Sequence, residues 1–372
     1  MKIVIATGIF LPEIGGPATY VPNIAKEFLD LGYSVKVVTY SKKAKYKEDK
    51  NLSYPVFRIK HSYKFLNYWR YYRMLKKVAK DADVVYAFDH FSAGIPAAKF
   101  SRKTGIPLVI RIGGDFIWER YLEKTGKSIS LRKFYEKGLH LKKAKKRFNL
   151  ISWVFRTTKT FVFTTNFQRE LFQKYYEISP EKCFIVPNPI YVPADIPDDR
   201  QIKKEIIFSG RFINKNNIKN LMLAFREIKD QSLSLVLIGE GPQKKSIEQM
   251  IKVWSIKNIH IEPKMSREEL NKRVAQAYLV VFPSYTDISP NSMLECIALN
   301  VPFISSTEIG FDWLAGKVRF FEPGKPEQIV AHINQLSDPK TYKEYSQTVA
   351  DIYYNYSYAQ AAVDTTKVFM LN

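Results

Sequence analysis

A short segment in the second half of the chain combines residue types that suit an anion and sugar hydroxyl groups. Ser289 suits the N-cap of a predicted helix and Pro290 its first position, with Asn291 following. The unpaired N–H groups at such a helix start attract phosphate. Asp287 precedes this start, and Glu295 lies about two turns into the helix. Carboxylates repel phosphate, so we expect these two to bind sugar or ribose hydroxyls. A turn aspartate and a solvated helix glutamate are the simpler interpretation.

Two other loops that follow predicted strands offer groups for phosphate. Gly15 and Gly16 precede a predicted helix, where bare backbone amides can approach phosphate closely. In the second loop, Arg211 can grip a diphosphate with its planar guanidinium, beside the point charge of Lys215. A helix-entry turn and a solvated basic loop are the alternatives. A third loop, residues 239–242, is equally consistent with a tight turn and a nucleotide contact.

A further loop follows a strand predicted near residue 110. Its glycines, within the segment 111–115, permit close approach of a substrate, and Asp115 could orient an acceptor hydroxyl as a catalytic group. Helix capping by Asp115 is the alternative.

Composition limits the kind of protein. The chain has 372 residues, enough for two domains, and its 58 Lys and Arg against 36 Asp and Glu favour anionic partners. Two cysteines and five scattered histidines predict neither a disulfide framework nor a zinc site, which fits a reducing cytoplasm. The N-terminal apolar run is too short for a signal peptide, and nothing approaches the roughly 20 apolar residues of a spanning helix. We therefore expect a cytoplasmic protein, soluble or peripherally attached to a membrane.

Short β-branched runs alternate with helical patterns, which predicts an α/β fold with parallel sheets. The predicted strands are Lys2–Ala6, Ser34–Thr39, Val84–Ala87, Leu108–Ile112, Thr160–Thr164, Glu205–Ser209, Leu233–Ile238, Ile259–Ile261, Val280–Pro283 and Pro302–Ser305. A Pro- and Asp-containing stretch, 187–199, predicts a linker. We therefore expect two Rossmann-like, doubly wound domains, residues 1–190 and 200–355. Ligands bind beyond the carboxyl ends of such strands, where all the loops above lie.

With these loops in this order, the sequence resembles family 4 of the retaining glycosyltransferases, which have the GT-B fold of two Rossmann-like domains facing a cleft. The resemblance covers nearly the whole chain. It is carried by the Gly15–Gly16 loop and by the segments 186–189, 209–211, 239–242 and 283–304. It implies a nucleotide-diphosphate-sugar donor bound in the cleft, transfer with retained anomeric configuration, and no metal ion or other cofactor. A last helix, 356–372, would cross back onto the first domain.

The resemblance also implies roles for individual residues. Asp287 and Glu295 match the family's spacing of an acidic residue, seven residues and Glu, with Asp in place of the usual first Glu. Asp287 would lie near the transferred sugar, Glu295 on the nucleotide ribose and Arg211 on the diphosphate. The family's Lys would fall on Asn216, and the adjacent Lys215 would substitute for it.

Three departures from the family leave a non-enzyme alternative open. A catalytic His of many members would fall on Phe88, so His90, two residues later, is either repositioned or an ordinary loop histidine. The other two departures are Asp287 and Asn216, and together the three favour a catalytically silent GT-B subunit that binds or regulates a partner. Retention of Glu295 and Arg211 favours the enzyme. A nucleic-acid-binding protein and a dinucleotide-dependent oxidoreductase are less consistent, because the sequence has no recognised binding module and no G-x-G-x-x-G loop.

Two segments, 64–77 and 140–153, combine basic and aromatic residues at helical spacing. Such helices suit an anionic membrane surface, although packing on the first sheet with the charges in water is equally consistent. Since acceptors of such enzymes are often lipid-linked glycans or phospholipids, we expect a glycan or lipid-linked acceptor and a role in cell-surface polysaccharide or glycolipid biosynthesis. We expect no nucleic-acid partner.

Overall fold

Buried apolar runs form two parallel sheets, one in each of two units. The computed structural model describes residues 1–13, 15–190 and 200–371. The first unit comprises Met1–Ile117, Leu139–Pro189 and Tyr356–Asn372, and the second comprises Trp118–Gly138 and Ile190–Asn355. Most of the predicted linker, residues 191–199, lies outside the described residues.

The first sheet has the strand order β3-β2-β1-β4-β5-β6-β7 in the described part of the chain, with every pairing parallel. Its strands are β1 (Lys2–Thr7), β2 (Ser34–Ser41), β3 (Val56–Lys60), β4 (Val84–Ala87), β5 (Leu108–Ile112), β6 (Thr160–Phe163) and β7 (Cys183–Ile185). The central strands β4, β5 and β6 are buried along their whole length. Continuous apolar strands of this kind are typical of a parallel sheet covered on both faces.

The second sheet has the order β10-β9-β8-β11-β12-β13, again with parallel pairings among the described residues. Its strands are β8 (Lys203–Ser209), β9 (Ser234–Ile238), β10 (Ile259–Glu262), β11 (Ala277–Phe282), β12 (Phe303–Ser306) and β13 (Arg319–Phe321). β8 and β11 are neighbours at the centre, so the loops that follow them leave the same edge of the sheet.

Helices connect the strands of both sheets. The helices up to the end of the first sheet are α1 (Gly16–Asp30), α2 (Lys64–Val78), α3 (Gly94–Thr104), α4 (Phe116–Thr125), α5 (Leu131–Glu136), α6 (Leu139–Thr157) and α7 (Asn166–Tyr176). Those that follow are α8 (Ile218–Arg226), α9 (Lys244–Val253), α10 (Arg267–Ala275), α11 (Asn291–Ala298), α12 (Pro326–Leu336), α13 (Pro339–Ala350) and α14 (Tyr358–Phe369). α6 is kinked at Ala144, whose backbone angles are not helical.

The last helix, α14, packs against α1 in the first unit. The Phe369 ring lies 5.9 Å from the ring of Phe28 on α1 and 5.1 Å from that of Tyr86 on β4. Both partners are fully buried, so the C-terminal helix adds aromatic surface to the core of the first sheet.

All ten predicted strands are present, with ends shifted by at most a few residues. The α/β class with two Rossmann-like parallel sheets is therefore confirmed. One segment differs: residues 118–138, which the sequence leaves in the first domain, belong to the second unit. Hydrogen bonds explain this grouping, since the Leu131 N–H donates to Thr286 Oγ1 over 2.8 Å and the Asn214 N–H to Glu123 Oε1 over 3.1 Å.

Each unit contains one cysteine. Cys183 lies on β7 and Cys296 on α11, and both thiols are buried and free. Burial raises the pKa of both, and does so strongly for Cys296, which keeps the thiols protonated.

Candidate functional site

The loop after β8 carries Arg211 on a tightly supported backbone. The Phe212 N–H donates to the Glu240 carbonyl over 2.9 Å. A Cβ on Gly241 would lie 2.5 Å from the Phe212 carbonyl oxygen, so only glycine allows this approach. The 239–242 loop therefore supports the Arg211 loop through its backbone. The Arg211 side chain itself is exposed.

Lys215 is positioned between carboxylates in the second unit. Its Nζ lies 3.6 Å from Glu119 Oε1, with about a fifth of the Lys215 side chain exposed. Burial acts to lower the pKa of Lys215, but the charges of Asp287 and Glu119 outweigh it, and the pKa is raised. Burial raises the pKa of Asp287, against the opposing effect of Lys215. Lys215 and Asp287 are thus close enough for each charge to act on the pKa of the other.

Asn216, at the position of the family's Lys, has a structural role. Its Nδ2 donates to the Arg211 carbonyl over 2.7 Å, and the Ser284 hydroxyl donates to its Oδ1 over 3.4 Å. The Tyr285 N–H donates to the Lys215 carbonyl over 2.9 Å. These bonds join the loop after β8 to the loop after β11. Of the neighbours Lys215 and Asn216, only Lys215 carries a positive charge.

The helix after β11 begins one residue later than the sequence predicts. α11 begins at Asn291 with Pro290 as its N-cap, so Ser289 is not the cap and Pro290 is not the first helical residue. The reason is the preceding backbone. The Asp287 N–H donates to the Glu308 carbonyl, and the Gly310 N–H donates to the Asp287 carbonyl. This bridge keeps the chain extended, and Pro290 is itself extended, with ψ of 104°.

α11 has no side-chain hydrogen bond at its cap, and Asn291 is exposed at the first position. The Met293 N–H reaches back to the Pro290 carbonyl over 3.1 Å. The first turn of a helix has backbone N–H groups without partners in the helix itself, and such groups attract anions.

Glu295 lies on α11 in an ion pair. Its Oε1 is 2.8 Å from Arg267 Nη2, and less than a fifth of the Glu295 side chain is exposed. Burial raises the pKa of Glu295, and Arg267 on α10 acts against that rise. Arg267 is a site residue that the sequence analysis misses, because a basic residue at a helix start has no distinguishing local pattern.

Glu119 is a second such residue. It lies on α4, which falls between β5 and β6 of the first sheet in the sequence, yet its carboxylate contacts Lys215 of the second unit's loop. The available signal is the pair Glu119 and Glu123, four residues apart on one face of a short helix.

The first-unit candidates have different environments. Gly15 is the N-cap of α1, which begins at Gly16, so the predicted glycine helix start is present. Gly16 is exposed, and a Cβ there would meet nothing within 4 Å. Asp115 is fully buried directly before α4, which is the location expected of a structural residue at a helix start.

His90 is a core histidine in this structure. It is 3% exposed, with its ring centroid 5.7 Å from those of Phe155 and Phe172. Burial lowers the pKa of His90 to about 4, against the opposing charge of Asp89. The imidazole is therefore neutral at pH 7 and almost fully buried, which favours the ordinary alternative over the predicted catalytic role.

Arg111, in the strand before Asp115, is also structural. Its buried guanidinium donates to the Val186 carbonyl over 3.0 Å and to Asn188 Oδ1 over 2.8 Å, and lies 4.4 Å from the Tyr20 ring centroid. The family segment 186–189 is thus held in place by a cation in β5.

A cavity of about 340 Å³ in the second unit is lined by residues between Phe225 and Leu233 and between Trp254 and Asn258. These loops lead into the amino ends of β9 and β10, the edge of the sheet opposite to that of Arg211 and Asp287. The described residues contain no group of three or more His, Cys, Asp or Glu side chains placed to hold a metal ion. They also contain no helix long and apolar enough to cross a membrane.

Comparison with known proteins matches both halves of the chain. The family described as Glycosyltransferase Family 4 matches residues 14–192, and the one described as Glycosyl transferases group 1 matches residues 196–350. Together the two matches show a glycosyltransferase like those of family 4. Its loops after β8 and β11 lie in the half matched by the group 1 description.

Curated relatives are distant and matched in part. The chain is 26% identical over 111 residues to a 2-deoxystreptamine N-acetyl-D-glucosaminyltransferase of Niallia circulans, covering 29% of this chain and 28% of that protein. It is 23% identical over 213 residues to the uncharacterized glycosyltransferase YqgM of Bacillus subtilis, covering 55% and 53%. A putative colanic acid biosynthesis glycosyl transferase, WcaI of Escherichia coli, is 25% identical over 171 residues, covering 42% and 41%. The chain therefore spans about half or less of these relatives.

Solved structures match the fold over its full length. Alr3699/HepE of Anabaena, determined with UDP, has a TM-score of 0.78 at 15% identity and covers 100% of both chains. WaaG, a glycosyltransferase involved in lipopolysaccharide biosynthesis, has a TM-score of 0.70 at 17% identity and covers 98% of this chain and 99% of that one. These likenesses confirm the GT-B fold.

Proposed function

We propose that the chain is a hexosyltransferase-like, retaining glycosyltransferase that moves a sugar from a nucleotide-diphosphate donor to a glycan or lipid-linked acceptor. The observation that carries the proposal is one cluster in the second unit. Two cations, Arg211 and Lys215, follow β8, while Asp287 and the uncapped start of α11 follow the neighbouring strand β11. Anion-binding and hydroxyl-binding groups thus leave the same edge of one sheet.

Each group has a proposed task. Arg211 and Lys215 bind the diphosphate. The backbone N–H groups of Ser289, of Asn291 and of the rest of the first turn of α11 bind it as well, while Pro290 sets the extended backbone between them. Glu295 accepts hydrogen bonds from the ribose hydroxyls, and Asp287 from the transferred sugar. Two cations and a helix start supply the positive charge that a metal ion supplies elsewhere, so we propose transfer without a metal ion or other cofactor.

In the proposed reaction the bond between the anomeric carbon and the β-phosphate oxygen breaks while the acceptor oxygen bonds to that carbon on the same face. The acceptor proton passes to the departing diphosphate, whose charge the cations stabilise. The start of α1 at Gly15 and Gly16, where Gly16 is exposed, supplies backbone amides to substrate. A nucleotide donor is supported by the fold likeness to Alr3699/HepE, whose structures contain UDP, and UDP with glucose.

We also propose that the chain works in the cytoplasm, peripherally on an anionic membrane, in cell-surface polysaccharide or glycolipid biosynthesis. A groove of about 590 Å³ in the first unit supports this. Its apolar and cationic lining side chains match an acyl chain and an acidic headgroup. The lining residues are Ile95, Lys99, Arg102, Lys103, Leu150 and Trp153.

Side chains of α2 lie next to the groove. Lys99 Nζ lies 5.5 Å from the centroid of the Tyr72 ring, and Trp69, half exposed one turn away, carries Arg73 over its ring at 4.6 Å. Basic side chains next to exposed aromatic rings are typical of a surface that inserts into the headgroup layer.

The donor site is tested by a thermal-shift and hydrolysis screen with UDP-, GDP-, ADP- and CMP-sugars. Wild type and the control Lys272→Ala, an exposed residue of α10, should be stabilised by one donor and hydrolyse it slowly. Glu295→Ala and Arg211→Ala should lose both responses. If no donor binds, or if all variants respond alike, the catalytically silent subunit becomes the better interpretation.

The membrane proposal is tested by co-sedimentation with vesicles of phosphatidylglycerol or phosphatidylcholine. Changing Lys99, Arg102 and Lys103 to Gln should abolish binding to the anionic vesicles. The control, Gln at the exposed second-unit residues Lys245, Lys252 and Lys264, removes the same charge and should keep binding. An equal loss of vesicle binding in both variants would show that net charge alone is responsible, and it would refute the proposal that the groove binds the membrane.

A further inference from the structure

Two acidic residues of α4 contact consecutive residues of the loop after β8. Glu119 and Glu123 are four residues apart and so share one helix face. Glu123 Oε1 accepts a hydrogen bond from the Asn214 N–H over 3.1 Å, and Glu119 Oε1 lies 3.6 Å from Lys215 Nζ. One turn of α4 therefore fixes both the backbone and the ammonium group of this cationic loop.

Asn214 is held from several sides. Its Nδ2 donates to the Leu122 carbonyl over 3.2 Å, and Gln243 Nε2 donates to its Oδ1 over 2.5 Å. The same segment, residues 118–138, also reaches the loop after β11, where the Leu131 N–H donates to Thr286 Oγ1. Both loops of the proposed donor site are thus anchored by one piece of chain.

The charge arrangement gives Glu119 a specific task. Lys215 has three N–H donors, and its carboxylate neighbours are Glu119 and Asp287. A carboxylate 3.6 Å away favours the ammonium form and limits the rotamers of a long side chain, and the ammonium charge itself attracts a phosphate. With nearly half of its side chain exposed, Glu119 can move as the substrate binds without leaving a buried charge unpaired.

We infer that Glu119 is a positioning residue for the donor: it holds the Lys215 ammonium in place for the diphosphate, while Glu123 fixes the loop backbone. The inference rests on the proposed function. By this inference α4, which lies between β5 and β6 in the sequence, positions a side chain of the second unit's donor site. The alternative is an exposed ion pair with no functional effect, which is common on protein surfaces.

The test is a double-mutant cycle of Glu119→Gln and Lys215→Met, read as donor KM and kcat with the donor found by the screen. In the wild-type background, Glu119→Gln should raise donor KM about five-fold and change kcat less than about two-fold, the effect of losing one partly exposed charge pair. In the Lys215→Met background, it should change neither, because its effect acts through Lys215.

A second measurement excludes a purely structural effect. The pKa of Lys215, followed by NMR of its reductively methylated ammonium, should fall in Glu119→Gln and stay higher in Glu119→Asp, which keeps the charge. The control Glu268→Gln removes an exposed carboxylate that pairs with Lys272 on α10, and should alter neither KM nor the pKa of Lys215.

The outcomes separate the two levels of the proposal. If Lys215→Met binds and turns over the donor as wild type does, the proposed donor site itself is wrong. If Lys215→Met is impaired and Glu119→Gln matches wild type, only the positioning role is overturned. An equal effect of Glu119→Gln in both backgrounds would also overturn it, since that result indicates a general disturbance of the fold.

Discussion

The Arg267 guanidinium lies 2.8 Å from the Glu295 carboxylate, so the carboxylate proposed for the nucleotide ribose is oriented by a cation from the neighbouring helix. Burial raises the pKa of Glu295, and Arg267 acts against that rise. Arg267 therefore favours the charged form of Glu295 and also orients its carboxylate.

Replacing Arg267 with Ala should weaken donor binding most at acidic pH. Without the guanidinium, burial is unopposed and the pKa of Glu295 rises further, so the carboxylate is protonated at a higher pH. Isothermal titration with the donor between about pH 5 and 8 should show that affinity begins to fall at a higher pH in Arg267→Ala than in wild type. Lys272→Ala, on the same helix but exposed, should leave that pH unchanged. The same pH in Arg267→Ala and wild type would remove Arg267 from the site.

Restoring the family's lysine at position 216 should not improve the protein. Asn216 donates to the Arg211 carbonyl and accepts from Ser284, so Asn216→Lys breaks both bonds. Chemical denaturation should show a loss of about 1–2 kcal/mol in the free energy of unfolding, and donor affinity should fall. Higher affinity in Asn216→Lys would show that Lys215 does not substitute for the family residue.

Asp287→Asn should separate sugar transfer from nucleotide binding. Because Asp287 is proposed to bind the sugar rather than the nucleotide, transfer should fall by roughly 100-fold while the affinity for the nucleoside diphosphate changes little. Asp312→Asn, at an exposed position, is the matched control. If nucleotide affinity falls in parallel with transfer, Asp287 has another role.

Burial of His90 should make the first unit less stable in acid. Its pKa lies at about 4, below its ordinary 6.5, so the unfolded chain binds the extra proton between these values. The stability of the buried neutral imidazole is complete above pH 6.5 and is lost as the pH falls toward 4, by up to about 3 kcal/mol.

His90→Leu should remove this part of the pH dependence, measured by urea unfolding at about pH 7.5 and 5. The same acid slope in wild type and variant would contradict the prediction. Sugar transfer by His90→Leu at the wild-type rate would also exclude the catalytic role that the sequence predicts for His90.

The strands that the sequence analysis misses share a position in the sheets. β3, β7 and β13 are edge strands, and each is only partly buried. A strand covered on both faces appears in the sequence as a continuous apolar run, whereas an edge strand of three to five residues gives a weak pattern. The central strands, which position the site loops, are for that reason the predictable ones.

The proposed donor site follows the same rule: residues next to central strands could be predicted from the sequence, and residues that reach the site from elsewhere could not. Residues that follow central strands, such as Arg211 and Asp287, are found from the strand pattern and the family spacing. Glu119 and Arg267, which pair with Lys215 and Glu295, are not, because contacts between segments distant in sequence leave no local pattern. The start of α11 differs by one residue because a long-range bridge at Asp287, rather than a capping side chain, decides where the helix begins.

The distribution of the two thiols gives each unit its own internal reporter of opening. Cys183 and Cys296 are the chain's two cysteines, one in each unit, and a buried protonated thiol reacts with an alkylating reagent only after the structure around it opens. Labelling rates at the two positions therefore measure local unfolding of the two sheets separately, in the unmodified protein. Protection of Cys296 by a nucleotide-sugar, with no change at Cys183, would assign ligand binding to one half of the molecule without any mutation.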